Sequence, residues 1–432
     1  MKDAVPQNAG TGGRFTRGVR STFISLRNRN FRLYFIGQLI SNTGNWLTNV
    51  AITLLVLNLT GSGLAVGLLT ACEYGPILFL SAWAGAIADR MDKRKMLLLT
   101  QTLEMCQSIS LAIAAFSPHP SVAVLFVLAL AGGIFLSFDN PLRRSFVTEM
   151  VRPDDLPNAV VLYSTIVNLT RTFGPALAGF LVITVGYGWA FSLDAASYIA
   201  VIICLLMMRP AELYREPKKE RAKIDVAEGV RYVRSIPALW ISFAILALIG
   251  TLSYNFSVTL PLFVINALHS TDSVFTLLYS IFSVGAVVCS LIVANRGFIR
   301  IRHVLYGAVA LGVTMLILAV VPNVGFAVPM VFLVGAASIL YMTSTTALAQ
   351  VESKREMHGR VLSLQTVLLI GPTAVGGPIV GWFADTFGAR APLLLGGIAA
   401  LLAALWGYYA VRRYMSETPI NFRDLIVRIF PR

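Results

Sequence analysis

Charged side chains are scarce in this chain of 432 residues. Asp, Glu, Lys and Arg make up 13% of it, against roughly 25% in an ordinary soluble protein. Apolar residues make up 56%. A chain with so little charge and so much apolar surface is poorly suited to water, so the composition predicts a membrane protein.

Cysteine is also scarce, and the four cysteines are isolated from one another. Each lies in an apolar stretch with no second cysteine or histidine at ligand spacing, which argues against a disulfide framework and against a metal site. We expect four buried free thiols. They are Cys72, Cys106, Cys204 and Cys289.

Histidine is the third shortage. The four histidines fall in predicted loops, two on each side of the membrane, and no nucleophile pairs with them. An intramembrane hydrolase or acyltransferase needs such a pair, so we predict that the protein is not an enzyme and has no cofactor. The residues are His119, His269, His303 and His358.

Long apolar stretches are abundant. A helix needs about 20 mostly apolar residues to cross the hydrocarbon core of a bilayer. Twelve stretches qualify, and they predict an all-α, polytopic membrane protein with twelve transmembrane helices. They are 31–59, 64–88, 96–117, 120–141, 158–183, 189–208, 238–265, 273–294, 304–321, 326–350, 360–384 and 391–411.

The charge that remains is lopsided, with 35 Lys and Arg against 21 Asp and Glu and a net charge of +14. If the N-terminus is cytoplasmic, 33 of the 35 basic residues fall on the cytoplasmic side. The exceptions are Arg171, inside the fifth helix, and Arg390. The positive-inside rule therefore predicts a multi-pass membrane protein with both termini in the cytoplasm. The bilayer explains the surplus, and we expect no nucleic-acid partner.

The longest internal polar stretch, 209–236, divides the helices into two sets of six. Ala88 aligns with Ala294 at an offset of 206, and Gly174 aligns with Gly377 at an offset of 203. Two related halves are typical of transporters, whose substrate path runs between them near the bilayer midplane. The predicted regions are a cytoplasmic tail (1–30), a six-helix bundle (31–208), a cytoplasmic linker (209–237), a second six-helix bundle (238–411) and a basic cytoplasmic tail (412–432).

The strongest local motif lies in the predicted loop between helices two and three. It contains Gly85, Asp89, Arg90 and Arg94. The pattern resembles the signature loop of the major facilitator superfamily, although Asp92 stands where that family usually has glycine. The resemblance implies a loop that latches the inner side closed, with Asp89 at the start of helix eleven and Arg90 paired with a carboxylate on helix four. Asp139 is the candidate partner.

Residues 170–179 of helix five form a second motif, built on Gly174, Pro175 and Gly179. It resembles the antiporter signature of exporters in the same superfamily, with Thr170 and Ala178 replacing two glycines. Small residues let helices approach closely and proline kinks a helix, so we predict a packing seam and a hinge. A small-residue packing motif without any role in antiport is the alternative.

A third resemblance covers nearly the whole chain. The segments 30–34, 138–141 and 188–191 are similar to the bacterial branch that contains the enterobactin exporter and related drug-efflux proteins. The resemblance implies a monomeric secondary transporter of the bacterial cytoplasmic (inner) membrane that exports an amphipathic small molecule, a siderophore or a drug, by proton antiport and alternating access. An importer or lipid flippase on the same fold, or a membrane partner protein that transports nothing, is the alternative.

Ionisable groups inside a membrane are costly and therefore suggest function. Four lie deep in predicted helices, and we predict a role in proton coupling for them, with Glu73 first and Asp194 second. A carboxyl group satisfied by a neighbouring helix is the alternative. A direct pair between Arg171 and Asp194 stays open. The four are Glu73, Glu104, Arg171 and Asp194.

Helix one carries a stripe of amides on one face, because its members are spaced by four, three and four residues. We predict that the stripe lines a substrate cavity with Tyr74, Asn255 and Gln365, and that further aromatic residues complete the wall. Hydrogen bonds between packed helices are the alternative use of such groups. The stripe consists of Gln38, Asn42, Asn45 and Asn49, and the further aromatics are Tyr34, Phe256, Tyr279 and Tyr341.

Overall fold

The computed structural model describes residues 23–88, 91–214, 226–294, 300–354 and 357–417. All regular structure in these residues is helical. The long helices are α1 (Arg29–Thr60), α2 (Gly63–Ala88), α3 (Lys93–Phe116), α4 (Val122–Met150), α5 (Leu156–Val185), α6 (Tyr187–Met207), α7a (Pro237–Leu252), α7b (Phe256–Leu262, extended by a π-helical turn at Phe263–Ala267), α8 (Asp272–Ala294), α9 (Ile301–Val320), α10 (Val324–Glu352), α11 (His358–Phe387) and α12 (Ala391–Glu417).

The prediction of twelve membrane-spanning helices is confirmed. Eleven spans in the described residues are long and apolar enough to cross a bilayer, with α7a and α7b forming one of them. The twelfth is α1, whose 32 residues are ample in length. The amide side chains of α1 lower its mean hydropathy, which explains why α1 is less apolar than the other eleven spans.

The helices form two sets of six, α1–α6 and α7–α12. A short linker helix (Val226–Ser235) lies between the sets along the chain and packs on the second set. There, Val233 is buried with Leu239 and Val361, and the Tyr232 hydroxyl accepts a hydrogen bond from the Lys354 backbone N–H at 2.9 Å. The linker helix is therefore anchored to the second half.

Helix α4 is longer than its hydropathy suggests. The sequence predicts an end at residue 141, but the helix continues through Pro141 to Met150, so that prediction is wrong. Its last turns bury Phe146 and Met150 in one apolar cluster with Tyr34 of α1. The burial of these side chains offsets the cost of keeping the polar residues of this segment in a helix. The extension brings Arg143 into the bundle instead of a loop.

The seventh span is broken where one continuous helix over 238–265 is predicted. Helix α7a ends at Leu252 and α7b begins at Phe256, with Asn255 just before the second piece. The Asn255 side chain donates to the Thr251 carbonyl at 2.6 Å, and the Ser253 hydroxyl donates to the Gly396 carbonyl at 2.7 Å. Such bonds satisfy backbone groups that water cannot reach, so a break is tolerated at this depth.

The scarce residues correct two further predictions. Three of the cysteines are half-buried, but Cys106 is exposed because it lies on an outward face of α3. Two histidines do not lie in loops, since His303 is in the first turn of α9 and His358 begins α11. Among the described residues, no group of three His, Cys, Asp or Glu side chains could hold a metal ion.

Two acidic residues of the second half join the halves at one end of the bundle. We call this the distal end, opposite the ends at which α1 begins and α12 ends, which form the proximal end. Asp385 accepts hydrogen bonds from the Ser62 hydroxyl at 2.6 Å and from the backbone N–H groups of Gly63 and Leu64 at 2.6 and 2.9 Å. Asp272 accepts from the Tyr187 hydroxyl at 2.8 Å. Among the described residues, the side-chain hydrogen bonds between the halves all lie at this end.

Candidate functional site

A buried guanidinium lies at the centre of a polar cluster in the first half. Arg143 is 3% exposed and forms ion pairs with Asp139, four residues earlier on α4, and with Glu104 of α3 at 3.4 Å. Its Nη1 donates to Gln38 Oε1 of α1 at 2.8 Å. One cation thereby joins three helices.

The cluster holds two carboxylates for one cation. Gln101 Nε2 donates to Glu104 Oε2 and to Asp139 Oδ1, both at 2.9 Å, and the Thr100 hydroxyl donates to Asp139 Oδ1 at 2.8 Å. Asp139 and Glu104 are almost fully buried. With Arg143 charged, the second carboxylate is uncompensated, so the cluster could bind one proton.

Asp194 has a different environment, made only of hydroxyl groups. It is 1% exposed on α6 and accepts from Thr48 at 2.6 Å, Ser108 at 2.8 Å and Ser197 at 3.3 Å. No ion pair joins it to Arg171, although the structure describes both side chains. The open question of a direct pair is therefore answered against it in this conformation.

Glu73 is the least constrained of the deep carboxylates. It is half-buried on α2, and among the described residues it has one long hydrogen bond, from Asn49 Nδ2 at 3.4 Å. Its backbone packs closely on α4, because a Cβ at Gly133 would lie 2.4 Å from the Glu73 carbonyl oxygen. The backbone is held firmly while the carboxylate keeps few partners.

The amide stripe of α1 connects these groups. Gln38 is buried against Arg143, Asn42 donates to the Gln38 carbonyl at 2.7 Å, and Asn45 accepts from the Tyr198 hydroxyl of α6. Asn42, Asn45 and Asn49 remain half-buried. The stripe therefore works mainly through hydrogen bonds between helices, and the prediction that Gln38 lines a cavity is wrong because its amide is occupied inside the first half.

Aromatic rings take the corresponding place in the second half. The rings of Tyr279 and Phe282 stack at 6.0 Å between centroids, Phe256 lies 4.8 Å from Phe282, and Tyr254 lies 5.7 Å from Phe256. Tyr254 also lies 6.2 Å from Tyr341. We call these five residues the aromatic wall.

Two amides predicted for the cavity lie inside the second half instead. Asn255 is 1% exposed at the break before α7b, and Gln365 is 4% exposed with its amide donating to Thr346 at 2.8 Å. Their role as cavity-lining groups is therefore not supported. Tyr34 is likewise buried near the proximal end, where its hydroxyl donates to the Arg143 carbonyl at 2.9 Å.

One face of α5 defines a cavity between the halves. Residues spaced by three, four or seven share a helix face, and on this face exposure changes along the helix. Towards the proximal end Val160, Ser164 and Arg171 are exposed. Towards the distal end Pro175, Ala178 and Val182 are buried. The cavity is therefore open on the proximal side and closes just beyond Arg171.

These features suggest a transporter, and comparison with known families decides which kind. The family model described as "Transmembrane secretion effector", one of the major facilitator group, matches residues 20–423. The chain belongs to the major facilitator superfamily. It is therefore a multi-pass membrane transporter of a small molecule and not an enzyme, as predicted.

Curated relatives of this facilitator cover almost its whole length. It is 23% identical to the staphyloferrin A transporter of Staphylococcus aureus, over 88% of this chain and 96% of that protein. It is 25% identical to the enterobactin exporter EntS of Citrobacter koseri, over 90% of this chain and 94% of that protein. These relatives confirm the resemblance to the enterobactin exporter branch.

Solved structures agree on the fold of this facilitator. A bacterial homologue of the human lysosomal transporter Spinster, described as inward-facing and unoccupied, superposes with a TM-score of 0.69 at 15% identity, over 90% of this chain and 98% of that one. A transporter of the POT family in complex with 5-aminolevulinic acid gives 0.69 at 13% identity, over 88% and 95%. At these identities the likeness shows the fold alone.

The signature loop of this facilitator is partly placed by the structure. Gly85 lies in the last turns of α2, whereas Asp89 and Arg90 lie outside the described residues, as does their predicted contact with Asp139. The partner of Asp139 in the structure is Arg143. Arg94 donates to the Leu205 carbonyl at 2.8 Å and so caps the end of α6.

The departure from the family pattern at Asp92 has a simple explanation. Asp92 has φ −68° and caps the start of α3, where its carboxylate accepts from the Lys95 N–H at 3.1 Å. Glycine is required only where φ is positive, so aspartate costs nothing here and adds a favourable N-cap.

The glycines of the second motif pack against two other helices. A Cβ at Gly174 would lie 2.5 Å from the Trp46 ring of α1, and one at Gly179 would lie 2.0 Å from Thr276 of α8. The motif is therefore a packing seam, and Pro175 lies within a continuous α5. Its role as an antiporter hinge stays a prediction.

Sequence reasoning missed Arg143, which it treated as a marker of the cytoplasmic side. A signal was available, because Asp139 and Arg143 are spaced as i and i+4 and would face each other if the helix continued. The hydropathy of the preceding stretch ends at Pro141, which concealed that continuation.

Proposed function

We propose that this transporter exports an amphipathic small molecule of the siderophore class, in exchange for protons, across the bacterial cytoplasmic membrane. The observation that carries the proposal is a set of carboxyl groups packed in the first half beside a cavity open at the proximal end. With both termini in the cytoplasm, as the distribution of basic residues indicates, that opening faces the cytoplasm. A monomer contains the complete site.

The class of cargo is supported by the relatives. Two proteins aligned over nearly their whole length are named for staphyloferrin A and enterobactin, which differ in chemistry but are both siderophores. Tyr254 and Phe282 of the aromatic wall are half-buried and offer apolar surface to an organic cargo, while Phe256, Tyr279 and Tyr341 are buried behind them. An amphipathic molecule suits this combination.

Proton coupling is assigned to the carboxyl groups of the first half, with Glu73 as the primary carrier. Glu73 has one long hydrogen bond and a half-buried position, so cargo and water can reach it from the cavity. The cluster of Glu104, Asp139 and Arg143 can hold a second proton. A carrier must bind and release its proton in turn, which a carboxylate fixed by several strong bonds does poorly.

Alternating access follows from the two ends of the bundle. In the described conformation Asp385 and Asp272 close the distal end. Export requires these bonds to break and the proximal end to close, and the loop containing Asp89 and Arg90 is the family's latch for that second state. The seam at Gly174 and Gly179 would let α5 slide against α1 and α8 during the change.

Transport by everted membrane vesicles tests this function. Vesicles containing the transporter and energised with an inside-acid proton gradient should accumulate enterobactin or staphyloferrin A, and a protonophore should abolish the accumulation. Accumulation that survives the protonophore would contradict proton antiport. Uptake only into right-side-out vesicles would identify an importer, and movement of labelled phospholipid alone would identify a flippase.

A further inference from the structure

We propose that Arg171 is the anion-binding residue of the cargo site, and that the cargo presents a carboxylate or a catecholate oxygen to it while its organic body contacts the aromatic wall. This inference rests on the proposed export function and specifies what is recognised. It removes Arg171 from the proton-coupling set in which the sequence had placed it.

Arg171 lies near the middle of α5. It lies fourteen residues from Val185, which at 1.5 Å per residue is about 21 Å from the distal end of the helix, close to the middle of the bilayer. It is the last exposed residue on the cavity face before Pro175 and Ala178 are buried. A ligand entering from the proximal side would therefore meet Arg171 at the deepest point.

Arg171 occupies the cavity face of α5. Leu169 and Phe173, two exposed bulky apolar residues of the same helix, lie on the opposite side, about 160° away at 100° per residue. Further along the cavity face Ala178 and Val182 are buried, and beside them α5 packs on α8 of the second half, where a Cβ at Gly179 would meet Thr276. Arg171 therefore faces the space between the halves.

Arg171 has no counter-ion among the described residues of the protein. Arg143, the other arginine deep in the first half, has two carboxylates, whereas no Asp or Glu among the described residues lies within ion-pair distance of Arg171. Asp194, the nearest acidic candidate from the sequence, is bonded to three hydroxyls. A charge at this depth is costly unless something pairs with it. An anionic ligand supplies that partner.

The surroundings specify the rest of the ligand. A guanidinium binds planar, bidentate oxygen groups, such as a carboxylate or the adjacent oxygens of a catecholate, better than any other side chain does. On α8 of the opposite half, the rings of Phe275, Tyr279 and Phe282 form a stacked series with centroids 5.5 and 6.0 Å apart, and Phe282 is its half-buried member. The site therefore fits an anionic oxygen group attached to a flat or apolar body.

Binding to the purified full-length transporter tests the proposal. The probes are enterobactin, staphyloferrin A, the O-methylated form of the first and the methyl ester of the second, with affinity measured by titration calorimetry. We expect Arg171→Gln to weaken binding of at least one unmodified siderophore about tenfold or more, and Arg171→Lys to lie between Arg171→Gln and the unchanged protein. The two methylated probes should bind weakly, and with the same affinity to the unchanged protein and to Arg171→Gln.

The matched control is Arg231→Gln, which removes an exposed arginine of the linker helix, outside the cavity. It should leave binding unchanged. Thermal unfolding of each variant identifies a folding defect, and a folded Arg171→Gln protein that binds both siderophores normally would overturn the proposal. Binding of neither siderophore by the unchanged transporter would also overturn it, as would equal loss with the capped probes.

These outcomes are separable from those of the vesicle experiment. If Arg171→Gln leaves proton-driven export unaffected, the proposed anion site is wrong and the proposed export function stands. If binding depends on Arg171 but the vesicles transport cargo without a proton gradient, the anion site stands and the antiport mechanism is wrong.

Discussion

The two halves of the transporter share a fold but not an interior. Every buried Asp, Glu or Arg in the described residues belongs to the first half, namely Glu104, Asp139, Arg143 and Asp194. The second half fills the equivalent space with aromatic rings, amides and hydroxyls. Its own carboxylates Asp272 and Asp385 are used at the distal end of the bundle. A repeated fold can thus divide its work, with ions handled on one side of the cavity and organic surface on the other.

One pair of positions shows the difference most directly. Glu73 lies fifteen residues before the end of α2, and Tyr279 lies fifteen residues before the end of α8, the corresponding helix of the second half. The same depth in the membrane therefore carries a carboxylate in one half and a phenol ring in the other. The position in the repeat determines the depth of a side chain in the membrane. The type of residue at that position determines whether the side chain can bind a proton or contact the cargo.

The largest test removes the cation on which the first half depends. Arg143→Ala leaves Asp139 and Glu104 buried without their partner, which costs about 3–5 kcal/mol. We expect a marked fall in the melting temperature of the detergent-purified protein. Arg144→Ala, which changes the exposed neighbour, should unfold like the unchanged protein. Equal melting of both variants would mean that the first half does not need its ion cluster.

The second test concerns coupling. Glu73→Gln keeps the shape of the side chain but cannot exchange a proton, so we expect proton-driven transport in vesicles to fall about tenfold or more. Glu352→Gln makes the same change at an exposed position of the second half and should have no effect. Normal proton-driven transport by Glu73→Gln would exclude Glu73 as the proton carrier. It would also weaken the assignment of proton coupling to the first half.

The third test weakens the junction between the halves. Asp385→Ala removes the cap of α2, worth about 1 kcal/mol, and should shift the equilibrium towards the distal-open state about fivefold. The readout is labelling of Thr276→Cys, a buried distal position, by an impermeant maleimide in a protein whose four native cysteines are replaced by serine. Asp154→Asn, at an exposed proximal turn, should leave the labelling rate unchanged. An unaltered rate in Asp385→Ala would show that other contacts hold this end closed.

The smallest effect is expected at the aromatic wall. Tyr279→Leu keeps apolar volume but removes the ring that stacks on the half-buried Phe282 and orders it towards the cargo, a contact worth about 0.7 kcal/mol, so the half-saturating cargo concentration should rise about threefold with the maximal proton-driven rate unchanged. Initial rates in vesicles over a range of cargo concentrations measure both quantities. A fall in maximal rate with constant half-saturation would place Tyr279 in the transport step instead.

Much of the fold is readable from the sequence because hydrocarbon imposes simple rules on length and charge. The twelve helices follow from apolar length alone. The break at Asn255 does not, because residues on both sides are apolar and only the packing of Ser253 on α12 reveals where the backbone is satisfied. The part of α4 beyond Pro141 is not predicted because its residues are polar. Those residues pair with neighbouring helices, and a hydropathy scale does not take such pairing into account.

The candidate site shows the same limit. Its ionisable members stand out because charge is rare at that depth, and Glu73, Glu104, Arg171 and Asp194 are all visible in the sequence. Their partners are not visible, since Asp194 takes its hydroxyls from three helices, and Arg143, on a fourth, takes Gln38 from one of those three. Which residues share a helix is encoded locally, but which helices meet is not.

The distal junction has a consequence for how such a transporter can evolve. Asp385 binds two backbone N–H groups of the opposite half, and every residue except proline supplies such a group. Mutation at Gly63 or Leu64 can therefore alter packing there but cannot readily delete the donors. The backbone part of this closure is thus tunable through the codon of Asp385 alone, without any matching change in the partner half, whereas the bonds from the Ser62 and Tyr187 hydroxyls depend on side chains of the first half.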